Sequence, residues 1–333
     1  MREQDIRPAD LLEEYLRLSA EDAAAFFAAR ERFVHRACPG CGAGAARHAF
    51  SKNGFDLVRC GECDTLYANP IPDDGAFAKF YRGSPSQRYW AEVFFPAVAE
   101  ARRERIFRRR VEQLKDMLAP ATDACETVID VGAGAGIFLE ECRSLGLGRR
   151  HVAVEPSVEL AATCRGKGFE TAEGMVEDII ADGALAGSAD LVTCFEVIEH
   201  VASPARLLSD LAALCRPGGT ILATGLCGTG FDILVLGQRA NAVSPPHHIN
   251  FLSRTGALAL MRRSGLADAV FRTPGQLDVD IVANTLARDG ETLDDPFLAH
   301  LMAADDTVKS AFQSFLAENG LSSHMWLIAR KGA

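Results

Sequence analysis

Between residues 126 and 223 short apolar runs alternate with amphipathic stretches, and that alternation leaves few folds open. Val128-Ile129-Asp130-Val131 reads as a buried strand, followed by a glycine-rich turn and a helix through Phe138 and Cys142. His151-Val152-Ala153-Val154-Glu155 is a second strand, with a helix near 158–166. A strand near 168–172, a strand at 190–195, a helix at 204–215 and a strand Thr220-Ile221-Leu222-Ala223, entered from Pro217-Gly218-Gly219, continue the series. Parallel strands need crossover connections, usually helical, so the pattern predicts an α/β fold with a doubly wound parallel sheet covered on both faces. A loop at 244–252, a helix at 254–264, a strand near 267–272, mainly helical residues at 275–322 and a last strand from His324 to Arg330 complete that half.

The other half is read differently. Residues 8–35 look helical, with Leu11, Leu12, Tyr15 and Leu18 at helical spacing. Residues 36–70 carry Cys, Gly and short β-like runs, and residues 73–118 return to helix with a kink or break expected at Pro96. The basic run Arg102 to Arg110 is expected to be a solvated helix face, because the whole chain carries a net charge of −10 and so disfavours broad contact with a phosphate backbone. Hydrophobic residues make up 48% of the chain, enough for a sizeable core. No run reaches the length of a membrane span, and Met1-Arg2-Glu3-Gln4-Asp5 has no apolar signal core, so the expectation is a cytoplasmic protein.

Cys38-Pro39-Gly40-Cys41 and Cys60-Gly61-Glu62-Cys63 form two close pairs, a C-x2-C motif repeated at the spacing of a zinc ribbon. Four thiolates on two tight turns can surround Zn²⁺ tetrahedrally, and a set of four leaves no open position, so the metal would be structural. The alternative is a redox or unmetallated set. Cys125, Cys142, Cys164, Cys194, Cys215 and Cys227 are scattered through apolar segments and are expected to be reduced core residues.

The turn after the first strand is Gly132-Ala133-Gly134-Ala135-Gly136, with Ile137 where a dinucleotide fingerprint has its third glycine. Asp130 at the strand end repels a pyrophosphate and tolerates a cation better. Glu155, ending the second strand, can accept hydrogen bonds from two ribose hydroxyls.

With Val154-Glu155-Pro156, Asp190 through Val201 and Leu214-Cys215-Arg216-Pro217-Gly218-Gly219, these residues resemble the class I S-adenosylmethionine-dependent methyltransferases. The resemblance covers about 126–272 and the final strand. It implies a Rossmann-like, seven-stranded sheet whose last strand is antiparallel. It also implies that Asp130, Gly132, Gly134, Gly136 and Phe138 hold the methionine side of the cofactor, Glu155 and Pro156 the ribose, and Met175 and Val176 the adenine. An acid near the adenine amino group is open among Glu173, Glu177 and Asp178. The cysteine motif, followed by Leu66-Tyr67-Ala68-Asn69-Pro70 and Phe80-Tyr81, resembles the zinc-ribbon head of a group of bacterial methyltransferases acting on small metabolites or sugars.

Methyl transfer from a sulfonium is an in-line displacement, so the protein must align the acceptor and manage its proton. Two clusters belong at the carboxyl ends of the strands. If the turn after the fourth strand is helical, Glu196, Glu199 and His200 share one face. The second is the loop Ser244-Pro245-Pro246-His247-His248-Ile249-Asn250-Phe251. Glu196, Glu199, His200 and His248 resemble the metal set of some magnesium-dependent O-methyltransferases, including ubiquinone-pathway and small-RNA 2′-O-methyl enzymes. The two histidines suit Mg²⁺ poorly. The other readings are that Glu199 and His200 orient the loop while Glu196 contacts the cofactor, or that His248 is a metal-free general base. His247 ranks behind its neighbour. Ser322-Ser323-His324 are expected to pack rather than bind.

The chain is thus expected to comprise a helical segment (1–35), a zinc ribbon (36–70), a helical linker (71–120) and a methyltransferase domain (121–333) with a helical insertion at 275–322. The expected function is O-methylation of a sugar or other small polar metabolite, with Zn²⁺ structural and Mg²⁺ as an optional aid. The rivals are an RNA methyltransferase gripping RNA with the ribbon and the basic run, and a non-catalytic cofactor-binding module.

Overall fold

The computed structural model describes residues 1–118 and 125–332. The expected boundary at 120–121 lies outside the described residues. The chain divides into two compact units: Met1–Val98 with Gly225–Ala259 and Phe271–Trp326, and Ala99–Thr224 with Leu260–Val270 and Leu327–Ala333. In chain order the strands are β1 (Phe33–Val34), β2 (Ala46–Lys52), β3 (Phe55–Cys60), β4 (Leu66–Ala68), β5 (Ile71–Pro72), β6 (Thr127–Val131), β7 (Arg150–Glu155), β8 (Glu170–Glu173), β9 (Ala189–Cys194), β10 (Cys215–Leu226), β11 (Asn250–Phe251), β12 (Val270–Arg272) and β13 (His324–Arg330).

The seven-stranded sheet has the order β12-β13-β10-β9-β6-β7-β8. β6 pairs in parallel with β7 and β9, and β7 with β8. Every residue of β6 is buried, which is why its sequence shows a continuous apolar run instead of alternation. β13 runs against β10: Lys331 exchanges hydrogen bonds with Gly218 and Gly219, while at the other end Cys227 N–H donates to Ser323 O. The seven strands and the reversed strand beside the edge are as the sequence led us to expect. The six scattered cysteines are all buried and free.

Two local expectations are corrected. Pro217-Gly218-Gly219 does not lead into a strand; it lies within one. β10 starts at Cys215, and its register against β9 shifts between Cys215 and Thr220. Gly218 sits at φ +75°, and a Cβ on Gly219 would lie 2.6 Å from Cys215 Sγ, so the residues expected to precede the strand are a bulge inside it that favours glycine. Nor does Pro96 break its helix. It stands just after a π-helical turn, Trp90–Phe94, and that local change of pitch lets the helical run continue through Phe95–Arg102.

In the first unit, the opening helix spans Ala9–Phe26, and the chain from Arg30 to Val34 is a 3-10 turn and β1, not helix. Phe27 and Phe33 explain the early stop, since both rings pack on Phe55, 5.6 and 5.4 Å between centroids. The cysteine region is a four-stranded sheet ordered β11-β4-β3-β2. Its hairpin β2–β3 closes through Asn53-Gly54 at φ 49° and 77°, both residues left-handed as a tight hairpin turn requires. β11 lies inside the stretch expected to be loop, pairing Asn250 with Tyr67 and Phe251 with Leu66. Helices Asp278–Asp289, Pro296–Ala303 and Asp306–Glu318 make up the expected helical stretch before β13. Ser322 Oγ and Ser323 N–H donate to the buried Asp278 carboxylate, each at 2.6 Å, which is a packing role. Among the described residues no helix is long and apolar enough to cross a membrane.

Candidate active site

The end of β6 and the turn behind it form a loop whose shape glycine dictates. Gly132, Gly134 and Gly136 have φ of 74°, 55° and 72°. A Cβ on Gly132 would meet Val197 Cγ2 at 2.9 Å, whereas one on Gly134 would meet nothing within 4 Å. The loop is therefore packed on one side and open over Gly134, where a ligand can approach the backbone. Glu155, only 6% exposed, reaches across from β7. Its Oε2 accepts from Gly134 N–H at 2.7 Å and its Oε1 from Ser157 N–H at 2.9 Å. Burial raises its carboxyl above the usual range, while those two amides work the other way.

Asp130 lies beneath, accepting from Thr193 Oγ1 at 2.7 Å. Burial pushes its carboxyl up to about 7, against the Thr193 hydrogen bond and the Arg110 charge. Phe138 is fully buried and meets Phe195 edge-on, 4.6 Å between centroids, so it supports the loop from behind. Pro156 and Met175 are exposed, and Val176, the first residue of the helix Val176–Ala181, is buried.

Beyond β9 the chain does not continue as a helix. Residues 198–200 form a turn closed by His200 N–H donating to Val197 O, and Glu196 sits at φ +54°, a strained position for a residue with a Cβ. Glu196 is held by three bonds. Its N–H donates to Thr224 Oγ1, its Oε1 accepts from the same hydroxyl at 2.6 Å, and Oε1 also accepts from Arg110 Nη2 at 2.8 Å. Glu199 is buried, and burial with the adjacent Glu196 charge raises its carboxyl well above the usual range. The expected helical turn is thus corrected: Glu199 and His200 are carried on a turn and Glu196 on a strained residue before it.

The basic run is solvated as expected at Arg105, Arg108 and Arg109, but not throughout. Arg110 is buried, with its guanidinium 4.7 Å from the centre of the Phe195 ring. Arg103 donates to Glu140 and Glu141 at 2.7 and 3.0 Å. These arginines neutralise carboxylates of their own unit. Arg110 and Thr224 are site residues the sequence reading missed. The sequence signal for Arg110 was its place as the last of three consecutive arginines, three residues after Phe107 and on the stretch that also buries Val111 and Leu114.

In the first unit the four cysteine sulfurs lie within 4.8 Å of one another. Cys38 and Cys63 are 3.6 Å apart, and Cys41 and Cys60 are 3.5 Å apart. A tetrahedral zinc bound by thiolates at about 2.3 Å would space them at about 3.8 Å, so the cage fits that ion. Cys63 also meets Thr65 Oγ1 at 3.2 Å.

His247 and His248 belong to the same unit. His247 is buried against Phe80 and Tyr15, and its Nε2 is 2.8 Å from Ser86 Oγ, which donates to Asp22. Burial, with the neighbouring His248, holds His247 down at about 3, so it stays neutral. His248 places Nδ1 2.7 Å from Ala242 O. A carbonyl can only accept, so Nδ1 carries the proton and the lone pair resides on Nε2. That is the tautomer a base or a metal ligand needs.

A family model described as a methyltransferase domain matches residues 99–269. A Ubiquinone biosynthesis O-methyltransferase of Xanthomonas axonopodis pv. citri (strain 306) is 31% identical over 169 residues, 47% of this chain and 68% of the relative. The protein of the same name from Xanthomonas campestris pv. campestris (strain B100) is 31% identical over 180 residues, 48% of this chain and 74% of the relative. Among solved structures, a SAM dependent methyltransferase from Archaeoglobus fulgidus is similar with a TM-score of 0.45 and 17% identity, covering 67% of this chain and 94% of that one.

Proposed function

Because the chain belongs to the methyltransferase-domain family that matches residues 99–269, we propose that it transfers the methyl group of S-adenosylmethionine to a hydroxyl oxygen of a small-molecule acceptor. The single observation that carries this reading is the loop of three left-handed glycines, open over Gly134 and bridged by Glu155. The relatives' printed name supports an oxygen acceptor and a small molecule. It lends no support to a sugar, and the acceptor class is a small hydroxyl compound. The RNA reading loses its grip once Arg103 and Arg110 are spent on Glu140, Glu141 and Glu196.

When bound, the donor supplies an activated methyl group on a positive sulfur. Glu155 exchanges its amide partners for ribose hydroxyls, or adds the hydroxyls to them. Asp130 supplies negative charge below the loop, and Arg110 with Phe195 forms the cationic and aromatic wall at the end of β9. His248, with its lone pair on Nε2, takes the acceptor's proton. The thiolate cage holds a structural zinc. The magnesium set fits less well, because Glu196 Oε1 is already engaged by Arg110 and Thr224. No step is routed through magnesium.

The test is mass spectrometry of a panel of small hydroxyl compounds incubated with the protein and methyl-labelled donor. Labelled ether products with matching S-adenosylhomocysteine are expected. Label on nitrogen or carbon, or donor binding without turnover across the panel, would refute the reading. Glu155→Ala should weaken donor binding about tenfold to a hundredfold, the worth of hydrogen bonds to a charged acceptor. Calorimetry on the folded variant checks this, and unchanged affinity removes Glu155 from the ribose site.

Donor affinity should also depend on pH. Asp130 is largely protonated below about 7 and ionised above it. A cationic ligand favours the ionised form, so affinity should fall by about tenfold per pH unit below that value and level off above it. Asp130→Asn should flatten the profile. A wild-type profile that is flat between pH 6 and 8 would dissociate Asp130 from the ligand's charge.

A further inference from the structure

A structural metal by itself explains only stability. Within the first unit several side chains of the hairpin and its flanks reach the main chain of the segment carrying His248, while Arg59 reaches Gly228 O. Lys52 Nζ donates to Ala240 O at 2.9 Å. Asn53 Nδ2 donates to Pro245 O at 2.8 Å. Arg36 Nη2 donates to Ile249 O at 2.9 Å, and Ala68 N–H reaches the same carbonyl at 2.9 Å. Arg36 is itself fixed by bonds to Ala68 O and to the Asn69 side chain, and lies over the Tyr67 ring. Just past the loop, Ser253 Oγ donates to Cys63 O, and Ser253 N–H donates to Thr65 Oγ1.

These contacts bracket His248 in sequence. Carbonyls 240 and 245 lie before it and 249 after it, and the carbonyl that sets its tautomer, at Ala242, falls between the first two clamped positions. Lys52 and Arg36 are long side chains held largely out of water, an unfavourable place for a cation unless the carbonyl it meets is part of the design. Asn53 serves twice: its backbone makes the left-handed hairpin turn and its amide holds Pro245.

We propose that Arg36, Lys52 and Asn53 are positioning residues through which the metal-bound hairpin clamps the 240–249 segment and thereby holds His248 in its Nε2 lone-pair tautomer. The proposal rests on the assignment of His248 as the acceptor-side base for its relevance to catalysis, but its test is made on the protein alone. The clamp acts in one direction. Metal binding orders the hairpin, the hairpin fixes three carbonyls, and the fixed Ala242 carbonyl orients the imidazole as an outer partner orients a ligating or catalytic histidine.

The test uses the full chain, labelled with ¹⁵N-histidine, and reads the tautomer of His248 from long-range nitrogen–proton spectra, assigned by loss of the signal in His248→Gln. Hydrogen exchange of the 240–250 amides and zinc content are measured on the same samples. Asn53→Gly keeps the turn and deletes only the amide; Lys52→Met keeps the stem and deletes only the charge. Each should leave zinc bound, shift His248 toward mixed tautomers and speed exchange across 240–250 by about tenfold, the consequence of losing one charge-assisted or buried hydrogen bond. Lys52→Arg should restore both signals. If folded, zinc-loaded Asn53→Gly and Lys52→Met keep the wild-type tautomer and protection, the clamp is refuted. Failure to find methyl transfer in any assay would sink the functional reading and leave this outcome unaffected.

Discussion

Replacing Cys38 with serine should abolish zinc binding and the order of the two cysteine turns together. One zinc per chain is expected in the wild type by metal analysis. Zinc bound to four thiolates is worth about 10–16 kcal/mol in small metal-folded peptides, comparable with the whole stability of an ordinary domain. Apart from Tyr67 and the partly buried Ala43 and Val58, the cluster around the cage is made of the cysteines themselves, whereas Phe55, Leu57, Leu66 and Ala68 pack in a separate apolar cluster, so the loss falls on the two cysteine turns. Limited proteolysis should therefore cut first around the cysteine turns in Cys38→Ser, while the strands β6 to β9, which belong to the other unit, stay protected longer. A wild-type protein that is metal-free and equally resistant in that region would reject the zinc assignment.

The second large effect is expected at His248. If it removes the acceptor's proton, His248→Ala should lower kcat by about a hundredfold to ten-thousandfold, the usual contribution of a positioned general base. Donor affinity should stay unchanged, because a general base acts on the acceptor's proton and not on the donor. A chelator too weak to strip the thiolate cage should leave the wild-type rate intact. A loss smaller than threefold would remove His248 from the reaction, and a full loss on mild chelation would restore the metal reading.

The features legible in the sequence were those in which one physical demand dominates. The buried parallel strands show as unbroken apolar runs because both faces are covered, and the glycines at 132, 134 and 136 show because positive φ excludes other residues. Paired cysteines at short spacing have few other uses. The features that were misread depend on partners distant in the chain. Arg110 looked like one more arginine in a charged run, and only its proximity to Phe195 and Glu196 distinguishes it. β11 is two residues long and exists because β4 offers an edge. Glu196 to His200 has helical spacing, but the strained backbone at Glu196 turns the chain another way. The proline-glycine pair at 217–218 carries the usual signature of a turn, and the bulge it makes becomes visible only with β9 alongside.

The first unit is drawn from three separate stretches of the chain, and β11 comes from the middle one. During synthesis the cysteine hairpin emerges early, yet the edge of β4 stays uncovered until residue 251 has left the ribosome. A fragment ending near residue 98 would present that bare edge to any passing strand, so the N-terminal third is not a detachable cassette that could be lent to another enzyme by simple fusion.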